Sequence, residues 1–223
     1  MTQHWLQVSS AADRDLFTVD SWGSAASRFT FNDATETLPA CLRLGESSTT
    51  NGSDRVLVTF DEAGTVENAE IRLYGGFNSS NSGGGGPSVR SVDRSNLYFA
   101  RSFRAFQSIT MQSGGTRTSL STIENYIDTF DRLAWSAIRI DGDRIRAAFW
   151  KGTEEDADLI PAWQFDLTDS TYTGALPVGV FSSNRPGYRF HILSIGTDGD
   201  PAPTGPVGPG GSRRRSPLLL VPR

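Results

Sequence analysis

The stretch Ala137-Ile138-Arg139-Ile140-Asp141-Gly142-Asp143-Arg144-Ile145-Arg146-Ala147-Ala148-Phe149-Trp150 decides the fold class. Apolar and charged residues alternate on both sides of an Asp-Gly pair, and Asp-Gly supplies the positive φ angles that a tight hairpin turn demands. A two-residue loop at Asp141-Gly142 sets Ile138 opposite Ile145. That pairing gathers Ile138, Ile140, Ile145, Ala147 and Phe149 on one face and Arg139, Arg144 and Arg146 on the other, a sorting that a one-residue slip destroys. The stretch therefore reads as two antiparallel strands with one buried and one wet face.

The same period of two recurs along the chain. Val56, Val58 and Phe60 share a face, as do Ile71 and Leu73, while Tyr188, Phe190 and Ile192 point away from Arg189, His191 and Leu193. Helical periodicity is nearly missing. One stretch breaks the rhythm: Gly76 to Pro87, with four consecutive glycines, is expected to be a flexible surface loop. It is not a phosphate loop, because no Gly-Lys-Ser/Thr follows it and no helix is near to offer its N-terminus.

No linker interrupts residues 1–200, so the expectation is one all-β, two-sheet antiparallel jelly-roll sandwich over 15–200, preceded by an N-terminal segment, 1–14, and followed by an arm, 201–223. A core of that size needs no disulfide or metal to hold it. Cys41 is the single cysteine, and within Leu38-Pro39-Ala40-Cys41-Leu42-Arg43-Leu44 it reads as a small buried hydrophobe. The formal charge is −4, but the arm carries Arg213, Arg214, Arg215 and Arg223 with no acid. Setting those four aside leaves −8 on residues 1–200. An acidic body argues against nucleic acid as a partner, since phosphate contact needs clustered cations. Neither a secretory signal nor a run of membrane-spanning length is expected.

The hairpin, with Trp135-Ser136 ahead of it, resembles that of concanavalin-A-like (laminin-G-like) jelly rolls found in tailed-bacteriophage structural proteins. Pro161-Ala162-Trp163-Gln164 and residues 174–181 resemble the P-x-W and G-x-x-G segments that follow it. Phe190-His191-Ile192-Leu193-Ser194-Ile195-Gly196-Thr197-Asp198-Gly199 is similar to the closing strand and its exit. The likeness is strong over 133–200 and diffuse over 15–130, where Asn96-Leu97-Tyr98-Phe99-Ala100 is similar to the strand that introduces the back sheet. The resemblance implies a sandwich of roughly a dozen strands, in a fold that hosts lectins, glycanases and structural modules alike.

Function must then come from sites. Laminarinase-type relatives of this fold carry E-x-D-x-E on one strand, and Glu154-Glu155-Asp156-Ala157-Asp158 offers E-x-D-x-D. Retaining hydrolysis holds two carboxylates about 5–5.5 Å apart on a rigid support, whereas this run reads as a solvated loop. With only His4 and His191 and no Gly-x-Ser-x-Gly elbow, a nucleophilic triad is not expected. No His/Cys spacing suits a metal. Calcium, common in lectins of this architecture, has Asp141/Asp143 and Asp198/Asp200 as candidates, both better explained as turn residues. A sugar site needs aromatic platforms beside hydrogen-bonding groups, and Arg144, Arg146, Trp150 and Trp163 are the candidates, against the alternative that Trp135, Trp150 and Trp163 simply pack.

The arm runs through a Pro/Gly-rich stretch, expected to be extended or disordered, to Arg213-Arg214-Arg215 and the apolar Leu218-Leu219-Leu220-Val221. The three-residue spacing of Gly205, Gly208 and Gly211 is either chance or the trace of a trimer. A short apolar end without a core of its own points to docking on another protein, with the arginines facing an acidic surface. The expected function is a non-enzymatic phage virion protein, capsid decoration or tail appendage, displaying a lectin-like domain and held to other virion proteins by the arm. The alternatives are a carbohydrate-binding module for cell-surface glycans and a glycan hydrolase.

Overall fold

A computed structural model describes residues 2–21, 29–34, 39–45, 55–77, 84–103, 106–123, 133–183, 188–206 and 212–214. The strands among them are β1 Gln3–Gln7, β2 Phe17–Ser21, β3 Phe29–Asn32, β4 Cys41–Leu44, β5 Arg55–Phe60, β6 Thr65–Val66, β7 Ala69–Phe77, β8 Gly84–Asp93, β9 Asn96–Phe103, β10 Phe106–Ser113, β11 Thr116–Ile123, β12 Ala134–Asp141, β13 Arg144–Trp150, β14 Phe165–Thr168, β15 Leu176–Pro177, β16 Gly179–Ser183, β17 Tyr188–Thr197 and β18 Ser212–Arg214. A nine-stranded sheet has the order β14-β13-β12-β7-β17-β1-β18, with β4 also on β17 and β3 on β4; a seven-stranded sheet runs β11-β10-β9-β8-β16-β5-β2. The two large sheets form a jelly-roll sandwich.

The alternating positions face inward as their spacing predicts. Val56, Val58 and Phe60 from one sheet meet Ile71, Leu73 and Phe190 from the other in a single apolar core. Cys41 is buried on β4. The hairpin places Ile138, Ile140, Ile145, Ala147 and Phe149 in that core, but its register is displaced by two residues. Ile140 faces Ile145, Ile138 faces Ala147, and the loop is Gly142-Asp143. Gly142 takes φ +60 at the first loop position, where a II′ turn calls for glycine. A shift of two leaves every side chain on its own face, so the sorting survives the error in register.

The loop expected at Gly76 to Pro87 is corrected at its two ends: Gly76 and Phe77 close β7, Gly84 opens β8, and residues 78–83 lie outside the described residues. Gly84-Gly85-Gly86-Pro87 lies in β8, buried between β16 and β9. Glycine is needed there because neighbours occupy the space of a side chain. A β-carbon at Gly85 would stand 2.8 Å from the Tyr188 ring, and one at Gly86 would overlap the Ala100 carbonyl oxygen. Gly86→Ala is therefore expected to lose about 3 kcal/mol or more, since the obstacle is backbone and must move with its strand. A urea melt checks this, and an unchanged midpoint would refute the tight packing.

Two further boundaries move. Residues 3–7 are not a separate segment: β1 pairs with β17 from Gln3↔Gly196 to Gln7↔Ile192, and His4 is buried against Phe60 at 5.4 Å between ring centroids. Burial holds the His4 imidazole below its ordinary pKa, with Glu62 opposing. The arm starts on the body as well. Ala202 is buried, Pro203 accepts from Ser194 Oγ at 2.5 Å, and the backbone of Ser212–Arg214 adds to β1 as a parallel strand. Ser212–Arg214 follows the last glycine and holds no proline, so its backbone is free to join a ladder. Arg215 and Leu218 to Val221 lie outside the described residues.

Candidate functional site

The outer face of the nine-stranded sheet carries the aromatic residues expected to meet a sugar. Trp135 and Trp150 face each other across β12 and β13 and stack at 5.7 Å with an 8° interplanar angle. Both are covered by the segment that follows β13. Trp135 Nε1 donates to Thr153 O at 2.7 Å, Trp150 Nε1 to Asp156 O at 2.9 Å, and Arg72 Nη1 to Ala157 O at 2.7 Å. Trp150 is thereby 7% exposed, a packing residue with no free face, which corrects its place in the expected sugar site. The acidic run is pinned through its backbone and not presented along a strand. Asp156 accepts from Thr153 N at 2.6 Å, and Glu154 Oε2 lies 3.0 Å from His191 Nε2.

The remaining three candidates lie near the hairpin. The Arg146 guanidinium sits 5.4 Å from the centre of the partly exposed Trp163 ring and bonds Asp141; Arg144 is held by exposed Asp166 at 2.8 Å. Structure thus brings Arg146 and Trp163 together, sets Arg144 beside them and removes Trp150. Asp141 also accepts from Arg139 at 2.9 Å. Its carboxyl is pushed up by desolvation, but the hydrogen bonds and charges of Arg139 and Arg146 prevail and hold it below the usual carboxylate range. A carboxylate already shared by two guanidinium groups does not fit calcium. Among the described residues no group of three or more His, Cys, Asp or Glu could hold a metal ion.

The seven-stranded sheet presents a second face that sequence reasoning missed. On β5 the core positions are Val56, Val58 and Phe60, so Arg55 and Leu57 point outward. Leu57 joins Leu97, Phe99 and Phe181 in a second apolar cluster, separate from the main core and itself fully buried. This face is concave. Arg117 on β11 donates to Ser183 Oγ on β16 at 3.0 Å, although β11 and β16 stand four strand spacings apart, roughly 19 Å along a flat sheet. Only a curled sheet brings them together. A bulge in β8 at Arg90, with φ +48, accompanies the curl.

Three arginines converge on Ser183. Arg55 is its direct partner in the β16–β5 ladder, Arg117 bonds its hydroxyl, and Arg101 lies across Gly84, its partner in the β16–β8 ladder. Side-chain-free positions make room: a β-carbon at Gly84 would overlap Arg101, and one at Gly115 would overlap Arg55 Nη1. All three are partly buried. Desolvation, reinforced by Arg117, lowers the Arg101 pKa to about 10, and desolvation with Arg55 nearby lowers that of Arg117. The available signal was arginine and large apolar residues sharing outward-facing positions, but only the fold shows that the three strands meet.

Solved structures share this architecture. The carbohydrate-binding module CBM66 from Bacillus subtilis matches with a TM-score of 0.57 and 13% identity over 82% of this chain and 96% of that one. A protein of unknown function from Shewanella oneidensis MR-1 matches at 0.58, with 10% identity over 86% and 84%. The exoplasmic/lumenal domain of VIP36 in its Ca2+-bound form matches at 0.50, with 11% identity over 82% and 90%. No protein-family model and no curated protein matches the sequence. At these identities the likeness is one of fold, and the fold is the two-sheet β-sandwich that a carbohydrate-binding module also uses.

Proposed function

We propose that this protein is a carbohydrate-binding module that acts by recognition and not by catalysis. The observation that carries the reading is the Arg146 guanidinium lying 5.4 Å from the centre of the partly exposed Trp163 ring, a hydrogen-bonding group beside an aromatic platform. Sugars offer both chemistries, hydroxyls at the edge and C–H surface on the ring faces. Fold likeness to a carbohydrate-binding module supports the same reading. A role on a virus particle draws on the resemblance and on an arm that lies mostly outside the described residues, so sugar binding takes precedence over it.

Full-length protein applied to an array of neutral and acidic glycans is expected to bind a defined subset saturably. Incubation with the bound glycans should release no reducing ends. Binding to no glycan would overturn the module reading, and release of reducing ends would replace it with hydrolysis.

A further inference from the structure

We propose that Asp141 and Arg146, an acceptor and a donor set side by side next to the Trp163 ring, read a pair of adjacent sugar hydroxyls, and that the ligand is a neutral glycan and not an acidic one. The inference rests on the carbohydrate-binding reading and adds the ligand class.

The outer face of the hairpin lays its charges out in register. Arg139 and Arg146 are direct partners in the β12–β13 ladder, and Asp166 faces Arg146 from β14. Two like charges opposite one another destabilise a sheet unless a counter-charge joins them. Asp141 does so: its Oδ2 accepts from Arg139 Nε at 2.9 Å and from Arg146 Nη2. Its other oxygen receives only Arg139 Nη2, at 3.3 Å, beyond the usual range of a strong bond. A carboxylate has about four lone-pair positions, so Oδ1 keeps room for a hydroxyl donor. Arg146 has capacity as well, since its Nη1 has no hydrogen-bond acceptor among the described residues. Both side chains reach solvent, Asp141 at 33% and Arg146 at 17% exposure, and so does part of Trp163.

An acceptor beside a donor is the complement of two neighbouring hydroxyls. One O–H donates to Asp141 Oδ1, the next oxygen accepts from Arg146, and the C–H surface of the same sugar ring meets the exposed part of the Trp163 indole. Charge sets the selectivity. Arg139 and Arg146 share Asp141, Arg139 also holds Glu70 at 3.2 Å, and Arg144 holds Asp166. An acidic glycan therefore finds no guanidinium to neutralise without breaking one of these pairs, and it carries its own charge against Asp141 and the exposed Asp166.

The test uses full-length protein and titration calorimetry with cellotetraose, mannotetraose and galactotetraose, whose internal residues keep adjacent hydroxyls. Each is compared with a form in which those hydroxyls are methylated and a form in which the primary alcohols are oxidised to carboxylates. At least one neutral tetrasaccharide should bind saturably, at least ten-fold tighter than both of its counterparts. Asp141→Asn should weaken that binding ten-fold or more and shift the preference toward the oxidised form, because Arg146 loses its counter-charge. A merely structural Asp141 would lower the thermal midpoint without moving the preference. Should Asp141→Asn fail to fold, Trp163→Ala carries the test, with the same ten-fold loss expected. Either variant folded and binding as the parent does overturns the assignment to these residues. Oxidised ligands binding as tightly as neutral ones overturn the selectivity, and methylated ligands doing so overturn the hydroxyl pair. No binding to the three neutral tetrasaccharides, with other glycans bound on the array, leaves the carbohydrate reading standing and overturns this inference. Absence of binding to all of them and to the array overturns both readings together.

Discussion

Arg90→Ala is expected to lower unfolding free energy by about 3–5 kcal/mol, the range for removing one partner from a buried charged network. The side chain is 2% exposed. Its guanidinium donates to Tyr172 O at 2.7 Å, Gly142 O at 2.6 Å and Glu67 O at 3.3 Å, joining three separate turns. Alanine would strand three carbonyl oxygens in a space too apolar to solvate them well, and hydrogen bonds to a charged donor are each worth about 1.5–3 kcal/mol. For a domain of this size the melting midpoint should fall by roughly 10 °C. The backbone at φ +48 separates the two contributions. Glycine accepts that conformation with less strain, so Arg90→Gly should be less damaging than Arg90→Ala by about 1 kcal/mol. Arg90→Lys restores the charge but can reach fewer acceptors, and should fall between alanine and the parent. A loss below about 1 kcal/mol for Arg90→Ala would mean that the turns are held by other contacts.

Arg90 also marks where sequence reasoning stops. Alternation made the sandwich legible, because a period of two sorts side chains without knowledge of their partners: Val56, Val58 and Phe60 were placed inward before any pairing was known, and they are. The hairpin shows the limit. Its faces were correct and its register was not, since Ile138 opposite Ile145 and Ile140 opposite Ile145 bury the same residues. Composition misled at Gly84 to Pro87, where glycine signals a loop by its flexibility but here serves a strand whose neighbours leave no room for side chains. The short strand β1 was hidden because Gln3-His4-Trp5-Leu6-Gln7 buries both faces at its centre and so does not alternate. Arg55, Arg101 and Arg117 could not have been grouped at all, for their meeting depends on the curl of a sheet and on which strands become neighbours.

The expected sugar contact at Trp150 is where stability and function can be told apart. Trp150→Ala should cost about 3–5 kcal/mol, as for other buried tryptophans cut to alanine. Two effects add: loss of the stack on Trp135, and loss of the N–H that holds Asp156 O. The second propagates, because the segment covering Trp135 and Tyr74 is fastened by the same few bonds, including Tyr74 OH to Gly152 O at 3.2 Å. Trp135→Ala should be similarly harmful, and the double variant should lose less than the sum of the two, since each removes half of one stack. Trp163 lies at the margin of this cluster and is partly exposed, so Trp163→Ala should cost no more than about 1.5 kcal/mol. Chemical denaturation gives the stabilities, and glycan titration at low temperature, where the variants remain folded, gives the affinities. Folded Trp150→Ala is expected to bind glycan as the parent does. If it instead kept its midpoint and lost binding, the indole would be touching sugar in a conformation in which the 151–164 segment has left the sheet, and the stacked Trp135 and Trp150 would belong to the sugar site.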